Sequence, residues 1–117
     1  NRRAGLAPFD ARALAEHERC IAQPGAAHAM CEDYRAAAGI DLEHDRDDRN
    51  AGRKLAMPLL VLWGERGVVH RHFQPLAEWR RVAGDVSGEP MPCGHYIPEE
   101  APDHLLANAL PFLTRTT

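Results

Sequence analysis

The chain lacks the features that would place it in a membrane or on a nucleic acid. It has no apolar run of about 18 residues, so we expect no membrane span, and it opens without a signal-peptide pattern. Its net charge is −3, and acidic and basic residues are mixed along its length. That mixture provides neither a basic stripe for nucleic acid nor a polybasic membrane patch. We therefore expect neither nucleic acid nor membrane as a partner.

Cysteine is scarce, with only Cys20, Cys31 and Cys93. An odd, widely spaced set is typical of neither a disulfide framework nor a zinc site. Free thiols suit a reducing compartment, so the composition predicts a cytoplasmic protein, and no metal site is expected. Cys93 lies two residues before a histidine, which leaves a nucleophilic thiol open. A small buried residue at the end of a strand is the favoured interpretation.

The chain also lacks a starting methionine, because it opens with asparagine, and this predicts a fragment or a trimmed product. Its 117 residues are enough for one domain of ordinary size. An apolar fraction of 44% is that of a globular protein.

The first half of the sequence predicts three helices. Asp10 is the expected N-cap of the first helix, which ends near residue 23. The second is expected over 26–38, with Gly39 in the C′ position. The third is expected over the charge-rich residues 41–51 and should be solvated.

The second half predicts a strand, a helix, a strand and a helix, which is the pattern of an α/β protein. The continuous apolar run 58–63 is typical of a strand buried on both faces of a parallel sheet. A helix over 75–83 and a weaker strand over 86–91 follow it. The last helix is expected over 102–113, kinked or ended at Pro111. Strand 58–63 needs neighbours on both sides, so further strands are expected in a longer protein.

One histidine stands out. Gly94-His95 falls on the loop between the last predicted strand and the last predicted helix. A loop histidine of this kind suits a general base, because the ordinary pKa of histidine is near neutral pH. A general base needs a nucleophile and an orienting acid, and Glu65 and Asp85 are the fallback candidates for that acid. Solvated loop charges are the favoured interpretation of both.

Three other groups have a simpler interpretation. The pair His70 and His72 has i, i+2 spacing, which does not suit a shared metal ion. Glu99 and Glu100 are expected to supply negative charge ahead of the helix that starts at Pro102, where the helix dipole favours acids. Tyr34, on the apolar face of the second helix, is by itself a core tyrosine with one satisfied hydroxyl.

Several segments together resemble the C-terminal part of an α/β hydrolase. They are PLLVLWG at 58–64, Trp79 on the following helix, and Gly94-His95-Tyr96 with PEEAP at 98–102. A narrower resemblance, to the cap of haloacetate (fluoroacetate) dehalogenases, is carried by MCEDYRA at 30–36 and DLEHD at 41–45. The resemblance covers most of the chain and corresponds to roughly the last two fifths of such an enzyme.

The resemblance implies an α/β fold made of the end of a helical cap, over 1–52, and the C-terminal part of the hydrolase core, over 53–117. The core segment would hold the last two parallel strands and their helices. The implied substrate is a haloacetate, with water as the second reactant, and no cofactor is implied. A homodimer of the full-length protein is left open.

The family breaks a carbon–halogen bond by covalent catalysis, which divides one difficult displacement into two easier steps. An aspartate displaces the halide and forms an ester, and a histidine then activates water to hydrolyse that ester. By resemblance, His95 is this general base. Tyr34 matches the cap tyrosine whose hydroxyl holds the departing halide, a suitable role for a phenol donor in a dry pocket.

The chain departs from the family where the first step occurs. No nucleophile elbow of the Gly-x-Asp-x-Gly kind is present, nor are the arginines beside it that bind the substrate carboxylate. Gly67 occupies the position where many α/β hydrolases carry the orienting acid, which the dehalogenases place after an earlier strand. Two alternatives therefore stay open: an epoxide or ester hydrolase of the same superfamily, and a catalytically inert truncated chain.

Overall fold

The computed structural model describes residues 5–115, which divide into two compact units. The helical unit comprises residues 9–53, and the strand unit comprises residues 54–115 together with residues 5–8. The labels cap and core, which the resemblance attaches to the two halves of the sequence, stay predictions.

The helical unit contains the three predicted helices: α1 at Ala11–Ile21, α2 at Ala26–Ala37 and α3 at Ile40–Asn50. Asp10 caps α1 as expected, because its carboxylate accepts the backbone N–H of Arg12 at 2.8 Å and that of Ala13 at 3.3 Å. These two bonds satisfy donors that the first turn of a helix leaves unpaired.

The ends of α2 and α3 use glycine differently. Gly39 does follow α2, but its φ is −132°, so it makes no left-handed turn and instead leads directly into α3 as the N-cap. Gly52, after α3, has φ +66°. There the N–H of Gly52 donates to the Arg49 carbonyl, and the N–H of Arg53 donates to the Asp48 carbonyl. This is a Schellman ending, and it needs the left-handed conformation that glycine adopts without strain.

No residue of α1, α2 or α3 is buried. The apolar face predicted for α2 is therefore exposed, and Tyr34, on that face, is 77% exposed. Helices of 11 or 12 residues are marginal on local bonds alone and normally gain their stability by packing an apolar face. The exposed apolar side chains of this unit are Ile21, Met30, Tyr34, Ile40 and Leu42.

The strand unit follows the predicted order of strand, helix, strand and helix. Its elements are β1 at Leu59–Gly64, α4 at Val68–His72, α5 at Pro75–Arg80, β2 at Val86–Met91, α6 at Ile97–Glu100 and α7 at Pro102–Leu113. The two strands are parallel and in register from Leu59↔Val86 to Gly64↔Met91. This confirms the predicted fold class, with two parallel strands and their helices.

Helix α5 is shorter than predicted, and two short helices that the sequence did not predict, α4 and α6, also form. Helix α5 ends at Arg80 rather than at residue 83, because Ala83 pairs with Leu55 in an isolated parallel bridge beside β1. Helix α7 spans Pro102–Leu113, which confirms its predicted bounds, and it does not end at Pro111. Pro111 lies in the last turn, where the loss of one N–H donor affects few remaining bonds.

Two glycines allow the backbones of this unit to approach closely. A Cβ on Gly88, whose φ is +150°, would lie 1.9 Å from the Val61 carbonyl oxygen. A Cβ on Gly64 would lie 1.6 Å from the carbonyl oxygen of Gly94. Glycine is therefore required where β2 lies beside Val61 of β1 and where the end of β1 meets the histidine loop.

The core of the strand unit lies beneath that loop. The buried residues Met91, Cys93 and Ala101 cluster together, and Leu62 and Ile97 pack against them. The start of α7 and the end of β2 are therefore tied together just below His95. None of the helices in residues 5–115 has the length and apolarity to cross a bilayer.

Candidate active site

His95 follows β2 and therefore lies at the carboxyl edge of the two parallel strands. This is the edge at which open α/β sheets bind ligands. The imidazole is exposed and lines an open groove of about 1370 Å³. Other residues lining the groove include Trp63, Arg66, Val69, Arg71 and Ile97.

The Glu100 carboxylate bonds to the backbone on both sides of His95. One oxygen, Oε2, accepts the N–H of Gly94 at 2.7 Å, and the other, Oε1, accepts the N–H of Tyr96 at 3.2 Å. The bond from Gly94 lowers the pKa of Glu100 most, and the bond from Tyr96 and the charge of Arg66 lower it further. Glu100 is therefore ionised at neutral pH, and both bonds are charge-assisted.

The other face of the same loop is bonded to the turn that follows β1. The Arg66 guanidinium donates to the carbonyl of Pro92 at 2.7 Å. The backbone N–H of Arg66 donates to the Cys93 carbonyl at 3.1 Å, and that of Glu65 donates to the Met91 carbonyl at 2.9 Å. The chain around His95 is thus held by residues from the turn after β1 and from α6.

The ring of His95 packs against an aromatic neighbour. It meets the ring of Tyr96 edge-on, with centroids 5.2 Å apart and planes at 74°. Within residues 5–115, no side chain donates to or accepts from the imidazole. The bonds that position His95 are therefore those of its loop backbone, and the residue lines the groove.

The two fallback candidates for the orienting acid, Asp85 and Glu65, lie at opposite ends of the strands. Asp85 lies just before β2, whereas His95 lies beyond its other end. Six strand residues separate the two ends, a span of about 20 Å, so the proposal that Asp85 orients His95 is wrong. Glu65 lies at the same edge as His95, but its carboxylate makes no bond to the imidazole in the described chain.

Cys93 belongs to the core and not to the site chemistry. Its side chain is fully buried among Met91 and Ala101. Burial raises the pKa of the Cys93 thiol, and the Glu100 charge adds to that rise. A buried, protonated thiol is a poor nucleophile, which confirms the structural interpretation of this residue and excludes the nucleophilic one.

His70 has a structural partner. The indole Nε1–H of Trp63 donates to His70 Nδ1 at 3.0 Å, which places the proton of a neutral His70 on Nε2. His70 and His72 lie on α4. In the part of the chain that the structure describes, no three His, Cys, Asp or Glu side chains are grouped as a metal site.

Tyr34 lies on α2 in the helical unit, and His95 lies in the strand unit. Both side chains are exposed. The structure brings the Gly94-His95 loop, the end of β1 and Glu100 together within one unit. The pairing of Tyr34 with His95 at a halide site stays a prediction.

Sequence reasoning missed Glu100 as a site residue. It assigned Glu99 and Glu100 to the dipole of the following helix, yet Glu100 bonds backward to the histidine loop. The available signal was the spacing. An acid at the end of a single helical turn that follows a Gly-His step is close enough to accept the backbone N–H groups around that step.

Comparison with known proteins places the chain among the α/β hydrolases. It is 33% identical over 99 residues to a fluoroacetate dehalogenase from Burkholderia sp., covering 85% of this chain and 32% of that protein. It is 31% identical over 107 residues to a soluble epoxide hydrolase from Corynebacterium sp. strain C12, covering 89% of this chain and 34% of that protein. No family profile matches the chain.

A solved structure extends this result. A candidate α/β hydrolase from Nostoc sp. PCC 7120 superposes with a TM-score of 0.86 at 51% identity, over 95% of this chain and 38% of that one. The chain spans about a third of the length of the curated relatives that it matches. Both strands, their helices and the histidine loop thus agree with the sequence similarity: the chain is the C-terminal portion of an α/β hydrolase.

Proposed function

We propose that this chain is the base-bearing part of a hydrolase that cleaves the carbon–halogen bond of haloacetates. The observation that carries the proposal is the exposed His95 on a loop bonded on both faces, at the carboxyl edge of the parallel strands. The similarity to a fluoroacetate dehalogenase supports the choice of substrate. Tyr34 is the proposed halide donor.

The reaction has two steps. An aspartate supplied by another segment attacks the α-carbon of the haloacetate, and the halide leaves with the bonding electrons. His95 then removes a proton from water as the oxygen adds to the carbonyl of the aspartyl ester. Collapse of that adduct breaks the ester bond, and the departing glycolate oxygen takes the proton from His95. The aspartic acid that results loses its proton to solvent and is restored as the carboxylate.

Epoxide hydrolysis is the second candidate function, because the chain is nearly as similar to a soluble epoxide hydrolase. In that case His95 would activate water in the same way. The substrate would be an epoxide, and no halide would be released. Substrate turnover therefore separates the two functions, whereas the role of His95 does not.

The test uses a hybrid enzyme in which this chain replaces the 99-residue segment that it matches in the Burkholderia dehalogenase. We expect the hybrid enzyme to release halide from fluoroacetate and chloroacetate. The 117-residue chain alone should release none, because its sequence has no nucleophile elbow. Halide electrodes and epoxide-opening assays measure both activities. Epoxide opening without halide release by the folded hybrid would favour the second function.

A conservative change at Tyr34 tests the proposed halide site. Tyr34→Phe keeps the ring and removes only the hydroxyl. Loss of one donor to a developing charge typically lowers the rate about 10²–10³-fold. Fluoride is the stronger hydrogen-bond acceptor and the poorer leaving group, so defluorination should fall further than dechlorination.

The control for Tyr34→Phe is Tyr96→Phe, which makes the same chemical change beside His95. Initial rates on fluoroacetate and chloroacetate in the hybrid enzyme give the comparison. Equal losses on the two substrates after Tyr34→Phe would assign Tyr34 a packing role.

A further inference from the structure

The carboxylate of Glu100 links the two residues that flank His95. Gly94 and Tyr96 each donate a backbone N–H to it, at 2.7 Å and 3.2 Å. Two bonds to one carboxylate hold the Cys93–Gly94 and the His95–Tyr96 peptide units. These two units bracket the Gly94-His95 step, so the bonds restrict the direction of the His95 side chain. Because the carboxylate is charged, each bond is stronger than one between neutral groups.

The glycine before His95 provides the space for this arrangement. A Cβ on Gly94 would lie 2.8 and 2.9 Å from the two carboxylate oxygens of Glu100. Gly94 does not have a positive φ, so its backbone conformation is open to any residue. A side chain at position 94 is therefore disfavoured by the approach of Glu100 and not by backbone strain.

Glu100 is itself well placed to hold a fixed position. It ends α6, and the next residue, Ala101, is buried in the core with Met91 and Cys93. The Arg66 guanidinium, which bonds to Pro92 in the same loop, adds a favourable positive charge. The backbone of Glu100 is thus tied to the core, while its side chain reaches the loop above.

We propose that Glu100 is a positioning residue for His95, acting through the N–H groups of Gly94 and Tyr96. The inference rests on the proposed function in so far as His95 is the general base. In a Ser-His-Asp type of site, an acid orients the histidine by bonding to its imidazole ring. Here Glu100 would orient His95 in part by bonding to the backbone on either side of it. Loss of the Glu100 carboxylate should therefore impair the water step and leave the displacement of halide unaffected.

The first measurement is amide hydrogen exchange in the 117-residue chain carrying Glu100→Gln. A glutamine side chain can accept only one of the two N–H groups, because its other end is a donor. Exchange at Gly94 or Tyr96 should rise about tenfold or more, as expected for a lost bond to a charged group. Glu99→Gln, the same change one residue earlier, should leave both amides unaffected.

The second measurement follows catalysis in the hybrid enzyme. Glu100→Gln should leave the initial burst of halide release unchanged, slow the steady-state rate about tenfold or more, and raise the ester-bound fraction of enzyme seen by mass spectrometry. Glu100→Asp, whose shorter side chain keeps the charge but not the reach, should give the same pattern. If amide exchange in Glu100→Gln becomes faster throughout β1 and β2, that variant has unfolded, and Glu100→Asp then replaces it in the test.

The outcomes separate the two proposals. Unchanged exchange at both amides, or faster exchange with no change in the ester level, would overturn the positioning role. If His95→Ala gives no ester in the same enzyme, the proposed function fails, and the positioning role fails with it. Faster exchange together with ester accumulation, absent from Glu99→Gln, supports the inference.

Discussion

Replacing His95 with alanine should abolish turnover of haloacetates by the hybrid enzyme and trap it as an ester. Attack of a carboxylate on the α-carbon needs no base, whereas attack of water on the ester does. One equivalent of halide should be released per enzyme, followed by no further release. Mass spectrometry should find the added carboxymethyl group on an aspartate outside this chain.

The matched control is His70→Ala, which removes a histidine of α4 that bonds to Trp63 and not to the His95 loop. It should retain the burst and multiple turnovers. An inactive but unmodified His95→Ala protein would mean that His95 acts before the ester forms or only supports the structure.

Replacing Gly64 with alanine should destabilise the strand unit by about 4 kcal/mol or more. The new methyl group would lie 1.6 Å from the carbonyl oxygen of Gly94, a backbone atom, so the clash cannot be relieved by turning a side chain. The end of β1 and the histidine loop would have to separate. Because small domains are stable by only about 5–15 kcal/mol, much of the folded population should be lost.

Urea unfolding followed by tryptophan fluorescence measures this change, because both tryptophans, Trp63 and Trp79, lie in the strand unit. Gly84→Ala is the control, since a Cβ there would meet only the Leu55 oxygen at 3.9 Å, an ordinary contact. We expect its effect to be within about 0.5 kcal/mol. Similar stability of the two variants would show that the loop yields to the methyl group at little cost.

The local signals in the sequence were sufficient for most of the elements. Asp10 and Pro102 predicted where helices begin, and the apolar run at 58–63 predicted β1. These signals work because capping, proline geometry and apolar periodicity depend on residues within a few positions. The resemblance carried by the histidine loop and its flanks identified the superfamily, which the comparisons support.

Other features were decided by neighbours that are distant along the chain. Pairing with Leu55 ends α5 early and draws Ala83 to the edge of β1. The exposure of the α2 face could not be predicted from the sequence either. A periodic apolar pattern indicates which face of a helix is apolar, but it does not indicate which segment covers that face.

The order of the elements, the fold class and the loop position of His95 after β2 all follow from local sequence patterns. The way in which that loop is held follows from contacts between distant residues. Gly64 and Gly94 are 30 positions apart, and no local pattern reports that their backbones touch. Likewise, the sequence around Glu100 is that of an acid near the start of a helix. Its carboxylate reaches the amides beside His95 because the next residue, Ala101, packs in the core against Met91.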